Sequence, residues 1–340
     1  MYKSDAQFQN SFMGNFAYRE IIDRHEDNIL VKLNRSVDFS FVEPLVADCY
    51  CHDNGASAYH PVKMLKILFL QTWANRSDRE IADDVDTNIL YRWFVGLSMN
   101  EAAPHWTLLG KFRDRLGKDK FDQIFARVVN LAQDIGLAIG RSRIIDCSAV
   151  EAKVDLDRCE EKSKKDGNGK DHFIDNHSPD PEATIGHKSI RESWYGYKSG
   201  ILIEPDSEIV TAVITDTAAP HDVNHLEKLV DKDIAITGGF KRITGDKGFV
   251  GRTDFLKSKG IIDNIIRRKD LPIPKRKSYL IDKSKRPRIE HKFAEAKNSH
   301  HLRQARYWGK AKVHIQSLLT YMIMNLKKIA VFLHFKTANI

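Results

Sequence analysis

The chain has 340 residues, enough for one large domain or two ordinary ones with a buried core. Its composition, 42% hydrophobic and 29% charged, is typical of a soluble globular protein. The 54 lysines and arginines exceed the 46 aspartates and glutamates by 8, which favours a polyanionic partner such as DNA or RNA. The four cysteines form no CxxC pair, so we expect free thiols and no zinc site.

Neither end of the sequence has the pattern of an exported or membrane-inserted protein. The N-terminal residues have no apolar signal core, so we expect a cytoplasmic protein. The most apolar stretch, residues 313–335, carries Gln316, Asn325 and Lys327 within it. Its apolar residues follow helical spacing, which predicts an amphipathic core helix and no membrane span.

The N-terminal part of the chain shows helical spacing over residues 60–135. Ser77 and Glu80 form a capping-box sequence at the start of one helix, and Asn88 and Thr107 are suited to cap two more. Short helices at this spacing predict a helical bundle. Two interpretations stay open: a DNA-binding bundle of helix-turn-helix type, or plain helical packing without a DNA contact.

Strand-like patterns follow. Residues 143–150 are β-branched and apolar, with Asp146 among them, and predict a strand. A polar tract at about 155–193 has too few apolar side chains to order itself and predicts an insertion within a domain. Two further apolar runs, 195–203 and 209–215, are joined by turn residues and predict a hairpin.

The remainder alternates between helices and strands. The predicted elements are a helix at 221–230, a strand at 242–246, a helix at 253–259, a strand at 261–267 and, after a basic loop, a helix at about 287–302. Three antiparallel strands followed by α/β crossovers predict a mixed α/β domain, in which helices flank a mixed sheet. A ribonuclease-H-like sheet has this order of elements.

Three carboxylates lie where such a sheet gathers functional groups. Asp146 is inside an apolar strand, where an unpaired carboxylate is costly, and Asp246 is at the end of another strand. Glu290 is in the first turn of a helix. Singly, each has a structural interpretation: a satisfied core aspartate, a turn residue, or an acid stabilised by the helix dipole. Together they are the hard oxygen ligands for two Mg²⁺ ions about 3.5–4 Å apart.

A basic segment surrounds Glu290 and extends over residues 267–310. Arginine and lysine neutralise phosphates, and the interleaved Tyr307 and Trp308 are suited to stack on an unpaired base. We therefore expect DNA to bind here. The candidate DNA-binding cations of this segment are Arg286, Lys297, Arg303, Arg306 and Lys310.

These motifs resemble those of the DDE transposases of bacterial insertion sequences, particularly the insertion-sequence-five group. Residues 145–153 are similar to that group's first-aspartate motif, and residues 245–249 to its second. Residues 286–297 resemble the signature around its glutamate, in which an arginine stands four residues before and a lysine seven residues after, as Arg286 and Lys297 do. The signature's tyrosine is absent, since its place is taken by lysine.

The resemblance extends upstream to residues 60–66, 77–81 and 112–116, which are similar to the group's helical N-terminal domain. It implies that residues 1–135 bind the ends of the element. Residues 136–340 are then the ribonuclease-H-like catalytic domain, with the polar insertion at about 155–193.

The resemblance also implies roles for residues. Asp146, Asp246 and Glu290 are the catalytic residues and the ligands of two Mg²⁺ ions, for which Mn²⁺ can substitute. Lys198, within a tyrosine–lysine pair that fits the catalytic domain, joins the candidate DNA-binding residues. The expected partners are the terminal inverted repeats, the target DNA and further copies of the chain on paired ends.

The activity that the resemblance implies is cleavage at the transposon ends followed by strand transfer into target DNA, without a nucleotide cofactor. The absence of a P-loop sequence agrees with this. Two alternatives to this activity remain. One is a metal-dependent nuclease on the same sheet, and the other is a domesticated transposase that binds DNA without cutting it. The intact acidic triad argues against decay.

Overall fold

The computed structural model describes residues 12–51, 57–138, 140–159, 178–188 and 192–338. These described residues divide into two compact units. Unit 1 takes its residues from Met1–Leu137 and Leu319–Ile340, and unit 2 from Ala138–Leu318. The expected catalytic domain ran to residue 340, whereas the last segment belongs to unit 1. A linear division of the sequence cannot show this, because one continuous helix contains the boundary.

Unit 1 is helical, as predicted. Its elements are α1 (Phe12–Arg24), α2 (Ile29–Ser36), α3 (Val42–Val46), a 3₁₀ turn (Ala47–Cys49), α4 (Pro61–Ala74), α5 (Asp78–Thr87), α6 (Ile89–Val95) and α7 (Thr107–Asp134). Helix α4 is buried along most of its length, so it forms the centre of the unit. Arg113 of α7 forms a salt bridge with Asp78 of α5 and holds these two helices together.

The predicted helix starts are mostly confirmed. The Ser77 N–H donates to Glu80 Oε2 at 2.8 Å and the Glu80 N–H to Ser77 Oγ at 3.2 Å, which completes the capping box. Asn88 caps α6. The prediction for Thr107 is wrong, because Trp106 already has helical backbone angles, φ −52° and ψ −33°, and Thr107 is the first residue within α7.

Unit 2 contains the predicted mixed sheet with flanking helices. Its strands are β1 (Ser142–Glu151), β2 (Thr184–His187), β3 (Ser193–Ile203), β4 (Val210–Thr217), β5 (Arg242–Gly245) and β6 (Ile262–Asp263). Its helices are α8 (Val223–Thr237), α9 (Thr253–Ser258), α10 (Lys277–Lys285), α11 (Pro287–Ser299) and the first part of α12 (Lys310–Ala338). The predicted hairpin is β3 and β4, which pair antiparallel.

The strand order is β2-β3-β1-β5-β6, and β4 also pairs with β3. Strand β1 is antiparallel to β3 and parallel to β5, and β5 is parallel to β6. One face of the sheet packs against α8, where Ile145, Leu202 and Ala212 contact the core that includes Leu226 and Leu229. The central position of β1 places Asp146 in the middle of the sheet.

Two elements differ from expectation. Strand β6 has only two residues, although the Asn264 and Ile266 amides still donate to carbonyls of β5. These two hydrogen bonds continue the contact with β5 past the end of β6. The predicted basic loop contains α10, which the high charge of that segment concealed. Asp282 of α10 anchors it, because this carboxylate is 2.9 Å from the Nε of Arg242.

The polar insertion is also more ordered than expected. Residues 160–177 and 189–191 lie outside the described residues, but residues 178–188 form a defined segment that contains β2. Strand β2 pairs with the first residues of β3 and widens the sheet at that end. The prediction that the tract does not order itself is therefore wrong for this segment, because it adds to an existing sheet instead of building a core of its own.

Two acidic residues of this segment bind the start of α12. Asp180 is fully buried, and its Oδ1 accepts hydrogen bonds from the Tyr197 hydroxyl at 2.7 Å and from the Gly309 N–H at 3.1 Å. Glu182 accepts a hydrogen bond from the Lys310 N–H. The first amides of a helix have no partner within the helix, so these carboxylates cap α12.

Helix α12 is the one helix of the described ranges that is long and apolar enough to cross a membrane. The relevant window has a mean hydropathy of 1.3, and 61% of it is buried within the protein. A buried core helix has the same composition, so this is weak evidence for a membrane span.

Candidate active site

Two of the predicted carboxylates extend from neighbouring parallel strands. Strands β1 and β5 pair in register, and their last pair is Ile145 with Gly245. Asp146 and Asp246 each follow directly after that pair. Since neighbouring strands lie about 4.8 Å apart, the sheet places these two residues side by side.

Each aspartate is oriented by the backbone that follows it. The Cys147 N–H donates to Asp146 Oδ1 at 2.8 Å, and the Lys247 N–H donates to Asp246 Oδ1 at 2.6 Å. Asp246 is thereby the N-cap of the 3₁₀ turn Lys247–Phe249. A carboxylate held by one oxygen in this way keeps its second oxygen for another ligand.

The environment of Asp146 is unfavourable for a lone negative charge. Its side chain is only 18% exposed, and its pKa is raised from 3.8 to about 6, mainly by burial. The nearby carboxylates of Asp222 and Asp246 contribute to this rise, whereas the Cys147 N–H and the guanidinium of Arg286 oppose it. A desolvated carboxylate among other carboxylates is stabilised by a cation, and such groups cluster at functional sites.

Arg286 connects Asp146 to Glu290. It precedes α11, and its Nη1 donates to Glu290 Oε1 at 2.8 Å while its Nη2 lies 3.8 Å from Asp146 Oδ2. Ile289 and Phe293 of α11 are buried, and the Glu290 side chain is 55% exposed. Arg286 therefore contacts two of the three predicted carboxylates, and the third, Asp246, follows the strand next to Asp146.

The donor chemistry of this group fits a hard divalent cation, because it consists of carboxylate oxygens and one member is desolvated among like charges. Across the described ranges, no three acidic, histidine or cysteine side chains converge closely enough to enclose an ion. The positive charge between Asp146 and Glu290 comes from the guanidinium of Arg286.

Lys198 does not have the environment of the DNA contact that was expected. It is 8% exposed, and its Nζ lies 2.8 Å from Asp222 Oδ1 and donates to the Pro220 carbonyl at 2.8 Å. The ring of Trp194 lies 5.7 Å from the same ammonium. A phosphate would have to displace Asp222 to reach it, so the position is that of an internal ion pair.

Asp222 is a charged neighbour of the site that the sequence analysis did not identify. Its carboxylate pairs with Lys198 and contributes to the raised pKa of Asp146. The available signal was its position immediately before α8. Nothing in the sequence shows that this loop reaches the centre of the sheet.

Lys297 lies where β1 ends, two turns along α11 from Glu290. Burial lowers its pKa, and so do the positive charges of Arg303 and Lys188, while Glu151 opposes this effect. The Arg303 carbonyl accepts the Glu151 N–H at 2.9 Å, which fixes the backbone of this exposed arginine beside the strand. Two predicted cations, Lys297 and Arg303, are therefore neighbours.

The other predicted cations follow in the approach to α12. The Arg306 N–H donates to Gln316 Oε1 at 2.8 Å, and the exposed Lys310 has its Nζ 3.6 Å from Asp216 Oδ1. Trp308 is 54% exposed, and its Nε1 donates to the Lys153 carbonyl at 3.0 Å. The indole is thus held by its edge, an orientation that suits stacking.

Two family models match the chain. The model described as a transposase domain (DUF772) matches residues 17–115, and the model described as a transposase DDE domain matches residues 163–326. No solved structure matches the chain at a significant level. The second range contains Asp246 and Glu290 and begins after Asp146.

The matched domains define the class of protein. Transposases with a DDE domain act on DNA as enzymes of the nuclease and transposase class, and they generally depend on a divalent metal. The process that they carry out is DNA transposition. With a DUF772 transposase domain followed by a DDE domain, the chain is a DDE transposase of the insertion-sequence type.

Proposed function

We propose that this transposase cleaves DNA at the ends of its own insertion sequence and transfers the freed strands into target DNA, as a member of the insertion-sequence-five group. The observation that carries the proposal is the grouping of three carboxylates. Strand register supports the proposal, because Asp146 and Asp246 directly follow the paired residues Ile145 and Gly245, and Arg286 contacts both Asp146 and Glu290. Each of these carboxylates stands in a segment that resembles a transposase motif.

In this proposal Asp146, Asp246 and Glu290 are the catalytic residues and hold two Mg²⁺ ions, for which Mn²⁺ can substitute. When bound, such a pair of ions activates an attacking oxygen and stabilises a leaving oxygen in phosphoryl transfer. The protein itself supplies oriented carboxylates, because backbone amides fix one oxygen of each aspartate. It also supplies Arg286 and Lys297, whose positive charges are suited to hold phosphates of the DNA backbone.

The DNA surface of unit 2 is the second part of the proposal. Exposed cations near α12, together with the edge-held indole of Trp308, are suited to hold phosphates and to stack on an unpaired base. The helical N-terminal domain binds the terminal inverted repeats, and copies of the chain assemble on paired ends. Lys198 is left out of this surface, because Asp222 already neutralises it.

A strand-transfer assay tests the proposal. The purified protein is incubated with a labelled duplex that carries the element's end, with Mg²⁺ or with EDTA, and a supercoiled plasmid serves as target. We expect Mg²⁺-dependent nicking at the end and joining to the plasmid. Both products should be absent for Asp146→Asn and present for the control Asp231→Asn, which changes an exposed aspartate of α8.

Each alternative has its own outcome in this assay. Nicking without joining would identify a nuclease of the same fold. Binding of the end without nicking, in Mg²⁺ and in Mn²⁺, would identify a DNA-binding protein that has lost catalysis. Loss of DNA binding by folded Asp146→Asn would mean that this carboxylate has a part in holding the DNA.

The salt dependence of DNA binding tests the proposed surface. Replacement of Arg303, Arg306 and Lys310 by alanine should reduce the slope of log affinity against log salt by about 0.9 for each lost phosphate contact. Fluorescence anisotropy of a labelled end duplex at several salt concentrations measures this slope. The control replaces Lys228 of α8, Lys257 of α9 and Lys259, which directly follows α9. An equal change in both triple variants would rule out a localised surface.

A further inference from the structure

A surface outside the acidic group combines an exposed apolar side chain with dense positive charge. It is formed by residues 268–275, which we call the wedge loop, and by the start of α10. Ile273 in this loop is 68% exposed, the largest exposed fraction of any large hydrophobic side chain in the described ranges. Leu280 of α10, with 64% exposed, is the next.

The wedge loop is stiff although it contains no helix or strand. Pro272 and Pro274 stand on either side of Ile273, and each proline ring fixes its own φ near −65°. A residue before proline is also restricted to extended backbone, and this applies to both Leu271 and Ile273. The exposed isoleucine is therefore presented by a segment with little conformational freedom.

Both ends of the loop are fastened to the end of β6. Arg267 reaches Asp263 Oδ2 at 2.9 Å, and its backbone N–H donates to the Tyr279 hydroxyl at 3.3 Å. Arg276 donates from Nε to Asn264 Oδ1 at 2.7 Å and from Nη2 to the Asp263 carbonyl. Asp263 of β6 and the next residue, Asn264, are both buried, and together they hold both ends of the loop. Ile273 therefore projects from a fixed base.

The charges around Ile273 point to the kind of partner. Arg268 and Lys269 precede it, Lys275 and Lys277 follow it, and all four are exposed. Asp270 is the one acidic residue among residues 268–277. DNA offers phosphates to the cations and an apolar base stack to the isoleucine, so it matches both features of this surface.

We propose that Ile273 is a wedge that enters the DNA between two neighbouring base pairs near the cleaved end, while the cations of the wedge loop hold the flanking phosphates. Isoleucine and proline are among the side chains that DNA-bending proteins insert between base steps. The proposal rests on the proposed function, because it states how the same DNA substrate is deformed. Its site is separate in sequence from the three carboxylates and from Trp308.

The test uses end duplexes in which 2-aminopurine replaces one adenine at a time, bound to full-length Asp146→Asn so that no cleavage interferes. We expect a severalfold rise in fluorescence at one base step, the sign of local unstacking. Addition of Ile273→Ala should abolish this rise and weaken binding only modestly. Addition of Ile185→Ala, which truncates an exposed isoleucine of β2, should leave both unchanged.

The other outcomes separate this inference from the proposed function. Binding without a fluorescence rise at any position would overturn the wedge and leave the transposase proposal standing, as would a rise that survives Ile273→Ala. Failure of the protein to bind end duplexes would overturn both. If Ile273→Ala converted a dimer to a monomer in sedimentation experiments without DNA, the patch would be a contact between copies of the chain and not a DNA wedge.

Discussion

Strand β1 carries two arginine–carboxylate contacts of opposite character, three residues apart. At its start, Arg143 Nε lies 2.9 Å from Asp233 Oδ2, and the side chains are 1% and 0% exposed. The carbonyls of Gly140 and Ser142 accept further hydrogen bonds from this guanidinium. At Asp146 the partner is Arg286, 23% exposed and 3.8 Å away. The first contact is a buried ion pair with short hydrogen bonds, which we call the closed contact. The second is longer and partly exposed, so another cation can replace the arginine, and we call it the open contact.

The difference shows that a buried carboxylate in a sheet protein is not by itself a sign of catalysis. Asp233 is the more buried of the two, but Arg143 and the Thr211 hydroxyl satisfy it. Asp146 is crowded by other carboxylates, and besides the Cys147 N–H its one favourable partner is a distant guanidinium, so its pKa is raised. The degree of pairing, more than the degree of burial, separates a structural acid from a candidate metal ligand.

Removal of the closed contact should have the largest effect on stability. We expect Arg143→Ala to lower the free energy of unfolding by about 3–5 kcal/mol, because it leaves Asp233 buried without its partner. Urea denaturation followed by circular dichroism measures this change. A loss below about 1 kcal/mol would show that Thr211 and solvent satisfy Asp233, and the contrast with Asp146 would fail.

The pH dependence of stability should reveal the open contact. The folded protein holds a proton on Asp146 more tightly than the unfolded chain does, so the wild type loses stability as pH rises from 3.8 through about 6. Asp146→Asn lacks this proton equilibrium. In EDTA, the stability of the variant relative to wild type should therefore grow across that range by about 3 kcal/mol and then level off.

Urea denaturation of both proteins at a series of pH values measures this difference, in which titrating groups that do not interact with Asp146 cancel. A constant difference across the range would mean that Asp146 keeps an ordinary pKa in the folded protein. Its partners would then neutralise it as completely as those of Asp233.

The smallest effect concerns Arg286. A divalent ion has to displace the guanidinium from Asp146 and Glu290, so Arg286→Ala should bind Mn²⁺ more tightly by a factor of about 2–5 in the absence of DNA. Electron paramagnetic resonance of free Mn²⁺ measures this affinity. Arg288→Ala, which removes an arginine bound to Asp206, is the control. Weaker Mn²⁺ binding by Arg286→Ala would mean that the arginine positions Glu290 for the metal.

Local signals in the sequence predicted much of the fold. Strand β1 was expected at 143–150 and spans Ser142–Glu151, and helical spacing was expected from residue 60, next to which helix α4 begins at Pro61. The capping box predicted at Ser77 is present. These features depend on residues within one or two turns of each other, so composition and spacing are sufficient to predict them.

Features that depend on distant residues were not predictable. Four of the nine residues of helix α10 are charged, and the helix is anchored through Asp282 to Arg242, forty residues earlier in the chain. The residues, order and element types of the three carboxylates followed from the sequence, but the register that puts Asp146 beside Asp246 did not. Lys198 was predicted to bind DNA, and its ion pair with Asp222 is visible only in the folded chain.

The capping of α12 by Asp180 and Glu182 limits how this transposase can be shortened. A designer who wants a compact version would be drawn to the polar insertion, whose composition suggests dispensable sequence. The acids that satisfy the first amides of α12 lie inside that insertion, about 130 residues upstream of the helix. Any deletion has to stop before Ser178, or it will remove the cap together with the spacer.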